Sequence, residues 1–432
     1  MRHRLAALVD NLCHDLRYTV RGLRRSPVFT ATVMITLGLG IGANTAMFSA
    51  IDRLMFRPFP YLRDAGRVHR VYLQLDARGG LLTDIRYPYT RYLDLRRWTS
   101  SFDATAAVVD WRLAVGPSEN GRELNVEGVS ASFFHLFDAR PALGRFFDAS
   151  EDSLPRGADV SVVAYAYWQS ELGGRRDIIG RRLQVGPFVT TIVGVAPRNF
   201  VGVAEGEPPA VFLPVTTLAY GVNQGNPAQF ATNYHWDFIG MLVRRKPAIA
   251  VSVASADLTH AFVRSRDAQR LQDSWVRPDS ISRPRAIAGA ARVAGGPGAG
   301  LESRTLLWVA GVAVIVLLIA CANVTNLMVA RVLNRRREIA VRIALGVSRA
   351  RITLQFLVEH SLLAALGSLT GLVVARLVNV ALRSVVASGG ASVDVAPVDR
   401  HALLLTAAFA LGAGAVTAIG PTLFALRGEL AA

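Results

Sequence analysis

Four long apolar runs and one long mixed region alternate along this chain of 432 residues. Val28 to Ile51 is uncharged, preceded by Arg21, Arg24, Arg25 and Pro27 and followed by Asp52 and Arg53. About 20 apolar residues cross a bilayer core, so this run predicts a membrane helix within residues 28–55. Leu306–Leu333, Ile352–Leu382 and Ala402–Leu426 predict three more, in segments 305–333, 352–382 and 402–426. The second opens on Trp308 and is uncharged until Arg331. The third is interrupted by Glu359, His360 and Arg376. The fourth carries Gly412 and Gly414, with Gly420 and Pro421 predicting a kink. A cleavable signal peptide would have a shorter apolar run than the first segment and would leave the later three unexplained.

Residues 56–304 have the opposite texture, with short apolar stretches, glycine and proline punctuation and mixed charge. They predict an α+β domain inserted between the first and second spans. Val160–Ala164 reads as a strand and Tyr165–Leu172 as a short helix stopped by Gly173 and Gly174. Arg182–Val185 and Thr190–Val195 flank Gly186 and Pro187 as a hairpin. AGGPGAG at 294–300 predicts a flexible hinge before the second span. The expected fold class is therefore an integral membrane protein of four transmembrane α-helices carrying a large α+β extracytoplasmic domain.

Charge refines this picture. The net charge is +16 with a mean hydropathy of +0.32, and residues 62–304 hold 29 basic against 24 acidic residues. The excess positive charge therefore sits beside the apolar runs, where it favours anionic lipid headgroups over nucleic acid. The N-terminal arm has six arginines and the 331–351 connection seven, whereas 383–401 is balanced. The positive-inside rule then places both termini and the 334–351 loop in the cytoplasm of a multi-pass inner-membrane protein, with 56–304 outside. Asn11–Arg25 mixes apolar residues with arginine and predicts an amphipathic helix within a cytoplasmic arm, residues 1–27. Residues 427–432 are expected to form a cytoplasmic tail.

Candidate chemistry is sparse. Gly38, Gly40 and Ala43 match a dinucleotide-loop pattern, but helix-length apolar sequence runs straight through them, so the match is fortuitous. Gly38, Gly42, Ala46 and Ala50 recur every four residues instead and predict a small-residue face for close helix packing. Asn323 and Asn326, one turn apart, are expected to hydrogen-bond across helices. Glu359 and His360 are expected to be interface-reaching or arginine-paired rather than a transport site, and Arg376 to reach the interface. The single lysine, Lys246, lies outside any G-K-[ST] sequence, so no P-loop is present. The two cysteines, Cys13 and Cys321, lie outside the mixed region, and the eight histidines lack ligand spacing. Gly128, Ser130 and Ser132 fall short of a nucleophile elbow, and His235 beside Asp237 reads as a surface pair. No catalytic, metal or cofactor site is expected in this chain.

Three stretches carry a family resemblance. The first is DLRY at 15–18 and RRSP at 24–27, running through LGLGIGANTAMFS to RPFP at 57–60. The second is RPALGR at 140–145, then Tyr167, Trp168, Gly173, Gly174, Ile179 and Gly180, then IVGVAP at 192–197. The third is ACANVTNLMVAR at 320–331 followed by RRREIAVRIALGVSRARI at 335–352. Together they resemble the type VII ABC permeases, the MacB/FtsX-like family, and most nearly one half of a duplicated orphan permease. Phe137 and Asp138 stand where the family has a leucine and a turn glycine, and an aspartate there is expected to accommodate a left-handed backbone.

The resemblance implies a permease that couples ATP hydrolysis by a separate ATPase to movement of the outer domain, for export or release of a substrate. It implies ATP and magnesium in that partner alone, and a second permease copy or paralogous half. Membrane lipid and a periplasmic or outer-membrane protein complete the expected partners. Arg337, Glu338, Ile339, Arg342, Ile343, Leu345 and Gly346 are the residues expected to meet the ATPase. Glu338 with Arg342 is a favourable i,i+4 pair, Gly346 a helix stop and Ser348 the cap of the next helix. A non-transporting signalling protein controlling a cell-wall enzyme stands as the alternative.

Overall fold

The computed structural model describes residues 19–21, 23–52, 58–77, 79–116, 121–222, 227–297, 300–334, 361–374 and 400–426, with isolated positions between 337 and 359 and at 376–377. Chain contacts divide it into a helical unit, Met1–Arg53 with Arg304–Ala432, and a second unit, Leu54–Ser303.

The helical unit holds α1 (Pro27–Ile51), preceded by a helical turn around Leu23. Helices numbered α2 to α6 belong to the other unit. The helical unit continues with α7 (Gly300–Asn334), α8 (Ser361–Val374) and α9 (Arg400–Leu426). Pro27 begins α1, where its missing N–H has no partner to lose. The stretches Pro27–Thr45 and Trp308–Arg331 are long and apolar enough to cross a bilayer, whereas the apolar cores of α8 and α9 are shorter. A single helix runs through Gly420 and Pro421.

Leu37, Ile41, Leu317, Cys321, Val324, Met328, Leu363 and Ala413 form the interior of this unit. Its outside is apolar too: Trp308, Leu318, Leu404 and Leu411 are all exposed. Asn44, Thr45, Thr406 and Thr417 are buried. An outside as apolar as the inside, with asparagine and threonine buried between helices, departs from the arrangement of a protein dissolved in water and fits a solvent of lipid tails.

The second unit contains one sheet of eleven strands. In chain order these are β1 (Val68–Ala77), β2 (Gly80–Asp84), β3 (Phe102–Val115), β4 (Arg122–Val129), β5 (Leu143–Gly144), β6 (Val160–Val163), β7 (Arg182–Val185), β8 (Phe188–Val195), β9 (Val211–Pro214), β10 (Gly240–Arg245) and β11 (Arg285–Gly289). They run β11-β1-β10-β3-β4-β9-β6-β8-β5, with β2 on β1 and β7 bridging β3 and β8. Only β4–β9 and β6–β8 are parallel. The helices are α2 (Tyr89–Trp98), α3 (Tyr165–Ser170), α4 (Val215–Val222), α5 (Val251–Gln272) and α6 (Asp279–Ser282).

Alternation along the strands sends side chains to two cores. Val109, Val126, Val211 and Met241 face one that also buries Tyr92, Leu258 and Phe262 of α2 and α5. Val108, Val129 and Phe212 face the other, an aromatic cluster built around Phe133, Phe134, Phe137, Phe147 and Phe200. Phe134 stacks on Phe146 with centroids 4.1 Å apart and meets Phe147 edge-on at 5.1 Å.

The short elements fall as the sequence indicates at 160–163 and 165–170, and Gly173 and Gly174 both take positive φ. The 182–195 hairpin turns at Gly186, φ 53°, and its second strand begins at Phe188. Two local readings are corrected. Asp138 has no left-handed backbone; the non-glycine residues with positive φ among those described are Tyr61, Asp64, Asn199 and Arg283. The hinge expected at 294–300 is in part docked: Val293–Gly295 form a 3-10 turn, and the Tyr72 hydroxyl donates to the carbonyls of Ala290 (2.9 Å) and Arg292 (3.3 Å). The ring of Tyr72 fills the space a side chain at Gly296 would need.

Candidate functional site

Glycine lets two helices approach until their backbones touch, because no Cβ holds them apart. Gly38 and Gly42 of α1 lie against Gly367 and Gly371 of α8, so the small residues are paired four apart on both helices. A Cβ at Gly42 would stand 2.7 Å from the carbonyl oxygen of Gly371, and one at Gly38 would stand 2.9 Å from Thr370. Gly40, on a different side of α1, faces Ala320 and Leu317 of α7. The glycines of the false nucleotide pattern thus serve two contacts. The side chains of Ala46 and Ala50 lie outside the described residues.

Polar ties secure the same helices. The Asn44 side chain, fully buried, donates from Nδ2 to the carbonyls of Gly40 (2.9 Å) and Ala313 (2.7 Å), joining α1 to α7. The hydroxyls of Thr45 and Thr406 meet at 3.2 Å, and Phe48 packs on Phe409 at 5.3 Å, joining α1 to α9. Neither Asn44 nor Thr45 stands out in sequence, since each is one small polar residue within an apolar run. Asn323 and Asn326 behave differently: both are exposed, and a partner for either on another helix does not occur among the described residues.

The end of the bundle beside the 334–351 connection is gathered on Arg331. Its Nη1 lies 3.0 Å from Oε1 of Glu359, both side chains being mostly buried. Its Nη2 donates to the Ser26 hydroxyl at 3.1 Å, and its guanidinium sits 4.4 Å from the Phe29 ring centroid. One side chain therefore holds the end of α7, the start of α1 and the approach to α8. Arginine suits this position because its planar fork can pair with a carboxylate and stack on a ring at once. Glu359 is paired with arginine, while His360 lies outside the described residues and Arg376 is exposed.

Within the connection, Arg337 and Leu345 are described and exposed, and the Leu345 N–H donates to Val341 at 3.0 Å, a helical bond. Glu338, Ile339, Arg342, Ile343 and Gly346 lie outside the described residues, as does most of the 1–27 arm.

In the second unit, Ser130 and Ser132 are spent on structure. The Ser130 hydroxyl accepts from the Ala107 N–H and that of Ser132 donates to the Thr105 carbonyl. His235 is 3.2 Å from Asp273 rather than paired with Asp237. Arg91, buried, donates to Ser265 (2.9 Å) and Gln269 (2.5 Å), and burial lowers its pKa to about 10. The described residues hold no grouping of three or more His, Cys, Asp or Glu able to bind a metal.

A cavity of about 350 Å³ opens between β1, β3 and β4 and the segment 203–207. On its floor Asp110 and Glu127 stand directly opposite each other across β3 and β4, with Arg112 opposite Asn125 two pairs further on. Glu127 is 2% exposed and neighbours Phe212 on its other side. Burial pushes its carboxyl pKa up to about 8; Asp110 adds to the rise and Arg70 opposes it. Nothing in the sequence marks Glu127 as unusual, because its burial depends on strands and a loop brought together from three parts of the chain.

Comparison with known proteins yields matches in both units. Residues 30–262 match the MacB-like periplasmic core domain, and residues 310–430 match the FtsX-like permease C-terminal domain. The macrolide export ATP-binding/permease protein MacB of Bradyrhizobium diazoefficiens is 26% identical over 378 residues, covering 85% of this chain and 51% of that protein. MacB of Agrobacterium fabrum is 28% identical over 254 residues, covering 58% of this chain and 35% of that one. The chain thus spans about half or less of the length of these curated relatives. Two solved domains align with it: a putative permease domain from Porphyromonas gingivalis (TM-score 0.39, 16% identity, 54% of this chain and 91% of that one) and the periplasmic region of MacB from Actinobacillus actinomycetemcomitans (0.35, 10%, 53% and 93%).

Proposed function

The chain belongs to the MacB/FtsX-like ABC permease family, and from that premise we propose that it transmits the work of a separate ATPase across the membrane. The four spans hold the inserted domain outside the inner membrane and the 334–351 elbow in the cytoplasm. The elbow meets an ABC ATPase through Arg337, Glu338, Ile339, Arg342, Ile343, Leu345 and Gly346. Closure of the ATPase dimer on ATP pushes the elbow, and the outer domain moves to expel or release a substrate. Two permease halves, as two copies or as paralogues, work together. Nucleotide and magnesium belong to the ATPase, and this chain is not itself an enzyme.

The observation that carries this reading is the gathering of three helix ends on Arg331 beside the elbow. A push there meets helices that are tied together and in backbone contact further along. Close-packed backbones have no long side chains to rearrange, so they pass a displacement on rather than absorb it.

The test is photo-crosslinking from Val341 and Leu345 in the full chain in native membranes. The expected adduct is a nucleotide-binding ATPase, and adducts of lipid alone would overturn the proposal. Topology is checked in a variant lacking Cys13 and Cys321. Ser150→Cys is expected to react with an impermeant thiol reagent only from outside, and Leu345→Cys only from inside.

A further inference from the structure

The cavity over Glu127 holds a buried carboxyl group, one oxygen of which has no hydrogen-bond partner among the described residues. Glu127 Oε2 is wholly buried and accepts no hydrogen bond from any described residue. It lies against Gly202, where φ is 58° and an added Cβ would stand 2.8 Å from Oε2. The neighbouring side chains have these partners. Arg86 pairs with Asp110 at 2.9 Å, Arg112 with Glu207 at 2.8 Å and Glu123 at 3.1 Å, and Arg70 donates from Nε to the Ala291 carbonyl at 3.1 Å. Glu205 accepts from the Val293 N–H at 2.6 Å. A buried carboxyl beside a second carboxylate, with Arg86 and Arg112 paired to carboxylates other than Glu127, is a receiver for positive charge that brings its own N–H donors.

We propose that this cavity binds a ligand through a primary ammonium group, received by Glu127 with Asp110 beside it. About 350 Å³ lies at the lower end of small-molecule sites, enough for a short aliphatic amine and not for a large substrate. Asp110 and Glu127 both line the cavity, so the ammonium can donate to Asp110 and to the Glu127 carboxyl without reaching the oxygen turned toward Gly202, and the wall formed by Val203 and Ala204 accepts an apolar tail. Binding makes Glu127 give up its proton to solvent, so one proton leaves as one ammonium enters. Ala291 and Val293, hydrogen-bonded to the cavity residues Arg70 and Glu205, belong to the stretch that leads into α7. Occupancy of the cavity would therefore be felt where the outer unit's chain leaves for the membrane. None of this depends on an ATPase partner, so it stands or falls separately from the proposed function.

The experiment uses the full chain in lipid nanodiscs, with empty nanodiscs as the blank and saturation-transfer NMR as the readout. The probe is n-butylammonium chloride, with tetramethylammonium chloride as a cation that lacks N–H donors. With a carboxyl pKa of about 8, binding is expected to be roughly tenfold or more tighter at pH 8.5 than at pH 6.5. Glu127→Gln, close in shape and neutral, is expected to lose binding about tenfold or more at pH 8.5, with thermal unfolding showing that it still folds. Glu127→Asp, which restores a carboxylate, is expected to regain part of the binding. The proposal is overturned if wild type shows no butylammonium signal at pH 8.5, if Glu127→Gln binds as well, or if tetramethylammonium competes equally.

Discussion

The helical unit and the outer unit solve the same problem in opposite ways. In the outer unit, water drives aromatic and branched side chains inward, and Phe133, Phe212, Tyr92 and Phe262 are fully buried. In the helical unit large apolar residues lie outside as well as inside, and glycine, threonine and asparagine sit among the buried ones where helices meet. Lipid tails are as apolar as leucine, so burying leucine there yields little, and helix association depends on close backbone contact and a few polar ties. The outer unit should therefore tolerate modest changes of core volume, while the helical unit should fail on the addition of one or two methyl groups at a glycine.

The largest effect is expected there. Gly42→Val forces a branched side chain into the carbonyl of Gly371, and Gly371→Val does the reverse. Either should collapse the folded fraction in detergent, read by size exclusion and thermal unfolding. Gly412, with open space where its Cβ would be, is the control: Gly412→Ala should leave stability unchanged or slightly raised, since glycine weakens a helix. Equal behaviour at Gly42 and Gly412 would remove the contrast between the two units.

Next is the Arg331–Glu359 pair. Glu359→Gln leaves a guanidinium in a mostly buried place and should cost about 1–3 kcal/mol, between the values for lipid-embedded bonds and for broken buried ion pairs. Removing both charges with Arg331→Met and Glu359→Leu should recover part of that loss. A double-mutant cycle on thermal unfolding checks this, and additive single losses would deny the tie.

In the outer unit the sharpest test is pH. The folded Glu127 carboxyl binds its proton more tightly than the unfolded one, which titrates near 4.5. At low pH both states are protonated and no penalty exists. As pH rises above the unfolded value the penalty grows, and it levels off once the folded group ionises near pH 8. Glu127→Gln should thus be more stable than wild type at pH 8, with the difference vanishing below about pH 4.5. Chemical unfolding across that range measures it, and a difference independent of pH would count against a buried, unpaired carboxyl.

The smallest effect is expected at Asn323 and Asn326, whose alanine variants should change the stability of a single chain by less than about 0.5 kcal/mol, as exposed positions do. A much larger loss that tracks protein concentration would instead assign this face to contact with another copy of the chain.

The apolar runs, the arginine bias and the inserted mixed region were legible because each depends only on local composition. Hydrophobic length marks a span whatever it packs against, and the 160–163 strand and the 173–174 helix stop follow from propensity and backbone sterics. The recurrence of Gly38 and Gly42 was legible as a small-residue face, but its partner was not. The matching glycines lie 325 residues or more further along the chain, at Gly367 and Gly371, and only packing decides which spans are neighbours. Arg331, Asn44 and Glu127 were illegible for the same reason: an arginine ending a span, an asparagine within one and a glutamate in a strand are each unremarkable alone. Tertiary structure made one a three-way tie, one an interhelical bond and one a buried acid, because burial and partnership are properties of residues brought together from distant parts of the chain. Sequence by itself determined where the chain can meet lipid and where it can meet water, since transfer free energy is additive along a segment. It could not determine which buried group lacks a partner, since that depends on every element converging on the place.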